Sequence, residues 1–264
     1  QLRQALELAR AHQERRIEKG AVIIERPDIT INLEGAGENI TVSLDEDPLA
    51  PKAHLLVSEL MVLTNAALAA WAKEHGVTLL HRTQDVAIPK EFSGIWQTPL
   101  EIARVVKALA PAVLETNPRP HAGLGEAMYA PSTSPLRRYP DMINETQIIS
   151  LLRDGKPRWS KEELDTLLPL LNAHLDAAGQ VQRFRPRYWK LLYFKQQGDR
   201  WWPAVITDEN DAFVTVNMPK EQMIVRARRQ FFSERTHPGQ ELKIRLGKVH
   251  PLQNDFQLLE TREI

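Results

Sequence analysis

Between Arg200 and the C terminus the chain breaks into five short runs: RWWPAVIT, AFVTVNM, QMIVRAR, ELKIRLGKV and DFQLLET. Each is apolar or alternating, and turn residues separate them. Period-two alternation over runs this short specifies strands, and five of them in so little chain suit a small barrel of the OB type. That requirement limits what the rest can be, because the preceding residues have a different texture.

Upstream, LRQALELARAHQERRIEKG has helical spacing and stops at Gly20. AVII, DITINLE and NITVSL then alternate like strands, with EGAGEN as a hairpin signal between the last two. Apolar residues surround the segment from about Ala53 to His75, which predicts a long, deeply buried helix. Thr98 with Glu101, and Ser160 with Glu163, have capping-box spacing and open two further helices. HAGLGEAMYAPSTSP between them is expected to be irregular, and DMINETQIISLLRDG helical up to Gly155. The fold class expected is α+β: a helix-rich mixed part over residues 1–197, then the barrel over 198–264, with the boundary near Gln196–Asp199.

The chain has 264 residues, 42% of them apolar, and zero formal charge at pH 7, which excludes a uniformly basic coat but not a local basic groove. It has no cysteine, which excludes disulfides and thiolate metal sites; a cytoplasmic location fits. No apolar run reads as a membrane span, so no membrane partner is expected. The eight histidines include no i, i+4 pair, so an independent zinc site is not expected. Gln1 in first place followed at once by helical spacing reads as a cut or processed start.

APSTSPLRRYPDMI places Arg137 and Arg138 where a loop enters a helix. Thr133 and Ser134 can cap that helix, and Pro135 suits its first turn. Arginine at the positive end of a helix is unfavourable unless an anion binds there, and the guanidinium fork matches phosphate. The alternative is that both arginines pair with carboxylates of neighbouring helices.

The wider stretch resembles the arginine motif of the ribonuclease II family, the RNB-domain exoribonucleases: His121, Leu124-Gly125, Tyr129, Thr133-Ser134-Pro135, Leu136, Arg137-Arg138, Tyr139 and Asp141. Glu59, Met61 and Asn65 resemble the family's Glu-x-Met…Asn helix, Arg82 and Pro89 the segment after it, and IIERPDITI an earlier strand. The resemblance runs from about Val22 to Gln197. It implies processive 3′-to-5′ hydrolysis of single-stranded RNA to nucleoside monophosphates at a magnesium site of clustered aspartates. Arg137 would be the catalytic residue, contacting the scissile phosphate. Arg138 would support structure or a neighbouring phosphate. Glu59 would read ribose hydroxyls, with a buried ion pair as the alternative reading. Asn65, Arg82, Tyr129, Thr133, Ser134 and Tyr139 complete the expected RNA-binding set.

The family's aspartate-rich metal segment has no counterpart here. LDEDP at Leu44 to Pro48 and TDENDA at Thr207 to Ala212 read as turns, so no metal ligand is assigned in this chain. The expectation is the second half of a catalytic domain plus a barrel, with Mg2+ held by an upstream segment and the N-terminal half of the same protein as partner. A catalytically inactive RNA-binding relative is the rival reading. Bacterial relatives can carry a base-clamping aromatic near Ile23; isoleucine cannot stack that way. The stretch from Gln180 to Trp202 interleaves basic and aromatic residues. Its aromatics are expected mainly in the core, its cations at solvent or phosphate.

Overall fold

A computed structural model describes residues 1–47 and 51–264. The elements run α1 (Leu2–Glu18), β1 (Val22–Ile24), β2 (Ile29–Glu34), β3 (Thr41–Glu46), α2 (Pro51–Glu74), β4 (His81–Thr83), β5 (Gly94–Trp96), α3 (Pro99–Ala108), β6 (Val113–Glu115), α4 (Tyr139–Asp154), α5 (Lys161–Gln197), β7 (Trp201–Glu209), β8 (Phe213–Met218), β9 (Met223–Arg228), β10 (Glu241–His250) and β11 (Asp255–Glu263). The mixed class and the five terminal strands agree with the sequence reading. The chain forms two compact units.

The first unit comprises Gln1–Ile24, Ala50–Trp96 and Lys107–Leu175. β1 pairs with β5 in parallel, and β4 with β6 antiparallel. Ala69, Ala72, Val77, Leu79 and Ala130 form one apolar cluster; Leu80, Ile143, Leu164 and Leu171 form another. At the start of α5 the capping box is made: the Ser160 N–H donates to Glu163 Oε2 at 2.8 Å, and the Glu163 N–H to Ser160 Oγ at 3.2 Å. α4 stops at Gly155, whose φ of +71° permits the left-handed closing turn.

α2 is not the deeply buried helix expected. Only Glu59, Val62, Asn65, Ala69 and Ala72 are buried, and Val57 is 58% exposed. Its apolar residues wrap the whole helix, whereas the described neighbours cover one stripe at three- and four-residue spacing. Contrary to expectation, its 24 residues are long and apolar enough to cross a membrane by length and composition. The buried stripe nevertheless includes Glu59 and Asn65, both hydrogen-bonded to protein groups.

The second unit comprises Glu25–Leu49, Gln97–Val106 and Asp176–Ile264. Its five-stranded sheet has the order β11-β10-β7-β8-β9, antiparallel throughout. The end strands β9 and β11 are not hydrogen-bonded to each other, so the sheet is a curled half-barrel rather than a closed one. Register shifts in the β10–β11 pair bend it, at a place where a Cβ on Gly247 would lie 2.8 Å from Leu259 Cδ2. Trp202, Ala204 and Ile206 alternate inward from β7 onto Val214, Val216, Val225, Leu242 and Ile244. Phe194 of α5 stands edge-on to Trp202, centroids 4.8 Å apart.

Several local expectations need correction. Leu44–Glu46 of LDEDP belong to β3, with Asp45 accepting from Asn32 at 2.6 Å; Pro48 lies outside the described residues. Thr207–Glu209 of TDENDA extend β7, leaving Asn210–Ala212 as the turn, where Asn210 Oδ1 accepts the Ala212 and Phe213 N–H groups. Of the five aromatics from Phe184 to Phe194, Phe194 is buried in the core, Tyr193 packs against it, and Phe184 is 43% exposed. The remaining two, Tyr188 and Trp189, are half-buried and meet edge-on.

Candidate functional site

The arginine loop is held from below by amide side chains. Asn65 is fully buried in α2: its Nδ2 donates to Tyr129 Oη at 2.8 Å and to Thr133 Oγ1 at 3.3 Å, while its Oδ1 accepts the Ser132 N–H at 2.9 Å. On α4, Asp141, Asn144 and Gln147 recur every three residues on one face, and none is exposed. Asn144 accepts the Leu80 N–H at 2.7 Å and donates to the carbonyls of Leu80 and Pro131 at 2.9 Å. Gln147 bridges the Thr78 carbonyl to both backbone groups of Trp159. A buried amide with every partner made fixes position more sharply than an apolar contact does.

Thr133 and Ser134 do not cap the helix, as their sequence positions suggest. The helix begins later: Arg138, with extended φ −124° and ψ 113°, is the N-cap residue of α4, Pro140 lies in the first turn, and no side chain caps the end. The cap runs the other way. Asp141 Oδ1 accepts the Ser134 N–H at 3.0 Å and Arg138 Nη2 at 2.6 Å. Arg138 also donates to Thr133 Oγ1 at 3.3 Å. Leu136, Arg137 and Tyr139 stand out into solvent around this uncapped end.

The two arginines therefore differ. Arg138 is committed to an acidic neighbour; Arg137 has no side-chain partner among the described residues. A helix end with unsatisfied N–H groups, beside an unpaired guanidinium, can receive an anion.

Glu59 sits in a buried polar knot. Its carboxylate accepts two bonds from Arg16, through Nε at 2.9 Å and through Nη2, and one from His12 Nδ1 at 2.7 Å. Arg16 Nη1 continues to the Leu124 carbonyl at 2.8 Å, and His12 Nε2 lies 3.4 Å from Glu126. A Cβ on Gly125, at φ +67°, would sit 2.5 Å from the Arg16 carbonyl, so glycine is required there. The ion-pair reading of Glu59 is what the structure contains. A carboxylate has about four lone-pair positions, and three are used, so one acceptor direction remains.

Arg82 is exposed on β4 and its N–H donates to the Tyr129 carbonyl at 2.8 Å. Tyr129 packs edge-on to His121, centroids 5.9 Å apart. Sequence reasoning missed Arg16, His12, Asn144, Gln147 and Gln84, whose Oε1 accepts the Gly123 N–H at 2.7 Å. For Asn144 and Gln147 the readable signal was polar residues at three-residue spacing along α4; His12, Arg16 and Gln84 carry no such signal.

His81 and His121 are both buried, each with an Nδ1 lacking a partner among the described residues. Burial lowers His81 to about 4 against an opposing Glu115, and lowers His121 to about 4 with help from the Arg82 charge. Both folded values lie below the ordinary 6.5. The unfolded chain therefore takes up protons first, and the stability these groups contribute is complete above pH 6.5 and lost as pH falls toward 4. Each is worth on the order of 3 kcal/mol across that window at 1.36 kcal/mol per unit. Urea midpoints should hold from pH 8 to 7 and fall steeply below 6. Replacing both residues with glutamine should flatten the decline; an unchanged slope would assign it to other groups.

The donor set does not fit a magnesium ion. Asp141 Oδ2 is buried and unpartnered, but its other oxygen is already paired to Arg138, and a guanidinium repels a cation. Among the described residues no group of three or more histidines and carboxylates is arranged to hold a metal ion, and Mg2+ demands near-octahedral oxygen ligation.

Residues 1–154 match the RNB domain, and the chain belongs to that family. Its relatives are ribonucleases. The uncharacterized ribonuclease sll1290 of Synechocystis is 24% identical over 260 residues, 96% of this chain and 38% of the relative. The chain thus spans well under half the length of that relative. Among solved structures, the Dss1 exoribonuclease of Candida glabrata superposes with TM-score 0.80 at 21% identity, covering 97% of this chain and 34% of that one. Mycoplasma genitalium RNase R in complex with ribose-methylated single-stranded RNA gives 0.74 at 16% identity, covering 98% and 49%. Yeast Ssd1, a pseudonuclease, gives 0.54 at 15% identity, covering 79% and 30%.

Proposed function

We propose that this chain is the Arg137-bearing part of a processive 3′-to-5′ exoribonuclease that hydrolyses single-stranded RNA to nucleoside 5′-monophosphates. Residues 1–197 would serve the catalytic domain and 198–264 an RNA-binding barrel. The observation that carries the reading is the division of labour in the arginine pair, Arg138 fixed to Asp141 and Arg137 left unpaired beside an open helix end.

Arg137 donates to a non-bridging oxygen of the scissile phosphate and stabilises the charge that grows there in the transition state. Arg138, through Asp141 and Thr133, holds the loop that aims it. Glu59, oriented by Arg16 and His12, offers its remaining acceptor direction to a ribose hydroxyl, the group that separates RNA from DNA. Asn65 and Tyr129 act by positioning. Arg82, Thr133, Ser134 and Tyr139 complete the RNA-facing set. The required Mg2+ would be held by the N-terminal half of the same protein and would generate the attacking hydroxide.

The test uses the intact protein and 5′-labelled single-stranded RNA. With magnesium the label should pass from full-length RNA to a short end product with few intermediates as mononucleotides are released; with EDTA it should stay at full length. Residues 1–264 alone should leave it intact. The second reading, an RNA-binding protein without hydrolysis, is favoured by the likeness to a pseudonuclease. It predicts binding and no shortening with either additive. Hydrolysis by residues 1–264 alone would overturn the account of the metal site.

A further inference from the structure

A second cluster of cations lies in the other unit, where α5, the β8–β9 turn, the β10–β11 turn and the segment between β1 and β2 meet. Lys190 of α5 is largely buried, and its Nζ donates to the Gln222 carbonyl at 3.1 Å. Gln222 in turn donates through its side chain to the carbonyl of Pro27, the residue after Arg26. Arg187, one helical turn before Lys190 on the same face, donates to Asn254 Oδ1 and lies over Phe256, 5.8 Å from the ring centre.

Two observations make this more than a basic surface. Among the described residues, Gln222 and Asn254 are the non-glycine residues with positive φ, +46° and +54°. Each is the direct partner of one cation, so left-handed backbone has been used twice to hold Lys190 and Arg187. Such conformations cost stability and concentrate at functional sites.

The second observation is electrostatic. Arg26, Arg187 and Lys190 have no ion-pair partner among the described residues. The Arg26 and Arg187 charges add to burial in lowering Lys190 to about 8. Glu221 is the carboxylate that opposes them, but burial raises its own pKa and its Oε2 has no hydrogen-bond partner among the described residues. Arg200 and Lys220 also bear on Glu221. Cations therefore outnumber carboxylates here, and part of the cluster is withdrawn from water. Two guanidinium forks and an ammonium suit a phosphate group.

We propose that Arg26, Arg187 and Lys190 form a phosphate-binding site that grips the backbone of bound RNA. The proposal rests on the RNA-handling reading above and adds to it a contact outside the Arg137 loop. Arg26 is the informative position: it is exposed and makes no side-chain hydrogen bond among the described residues, so its removal should leave the fold intact.

The measurement is equilibrium binding of single-stranded RNA to the intact protein in EDTA, across a salt series. Arg26→Ala and Lys190→Gln should each weaken binding about 5-fold at low salt and make the slope of log K against log salt shallower by roughly 1. Arg3→Ala, on exposed α1, should do neither. If the wild type binds with a steep slope and Arg26→Ala matches it, this site is wrong and the RNA reading stands. A wild type without salt-dependent binding removes both. A parallel arm titrates inorganic phosphate at constant ionic strength. Thermal protection of the wild type but not of Arg26→Ala, with RNA slopes unchanged, would assign the site to free phosphate and overturn the backbone contact.

Discussion

Arg137→Ala in the intact protein is expected to lower turnover of single-stranded RNA by ~100-fold or more, with the dissociation constant changed only a few-fold, as for a group that acts on developing charge. The side chain is exposed and has no hydrogen-bond or ion-pair partner among the described residues, so its loss should not move the melting temperature. Arg138→Ala should behave differently. It strips the buried Asp141 of its cation, and stability should fall along with activity. Single-turnover kinetics beside binding isotherms separate the two. Equal losses of rate and affinity in Arg137→Ala would make it a plain phosphate anchor, and the proposed role would fail.

Arg16→Ala should be the most destabilising single change in the first unit. It leaves the Glu59 carboxylate buried with only His12 as a hydrogen-bonding side chain among the described residues, and it orphans the Leu124 carbonyl. Removing one partner of a buried pair costs about 3–5 kcal/mol. Glu59→Gln should also be destabilising, because its single oxygen can replace only one of the two acceptors and its NH2 faces an N–H donor beside a guanidinium left without its anion. The double variant should be less destabilised than the sum of the two single changes. Additive effects in urea titrations would mean that the pair is not coupled, against the geometry observed.

What the sequence made legible was local. Thr98 and Ser160 cap their helices with Glu101 and Glu163 because a capping box needs only four residues and a turn. The five terminal strands followed from alternation alone. The helical run from Asp141 was legible to within two residues of the observed start at Tyr139, but the caps were not: Asp141 reaches back seven residues to the Ser134 N–H, so Thr133 and Ser134 lie in a turn ahead of the helix. Glu59 and Asn65 could be singled out, but not their partners, since Arg16 lies 43 residues from Glu59 and Tyr129 lies 64 from Asn65. The burial of α2 was overestimated for the same reason. Hydropathy reports what a helix can hide, and only its neighbours decide how much is hidden.

Asn65 and Asn144 fasten the stretch ahead of α4 through donors and acceptors that face in set directions. Such fastenings do not slide as greasy surfaces do: a latch of this kind is shut or it is open. Warming or a stray substitution would then release the guanidinium's mounting in a single step, with no gradual drift in aim beforehand.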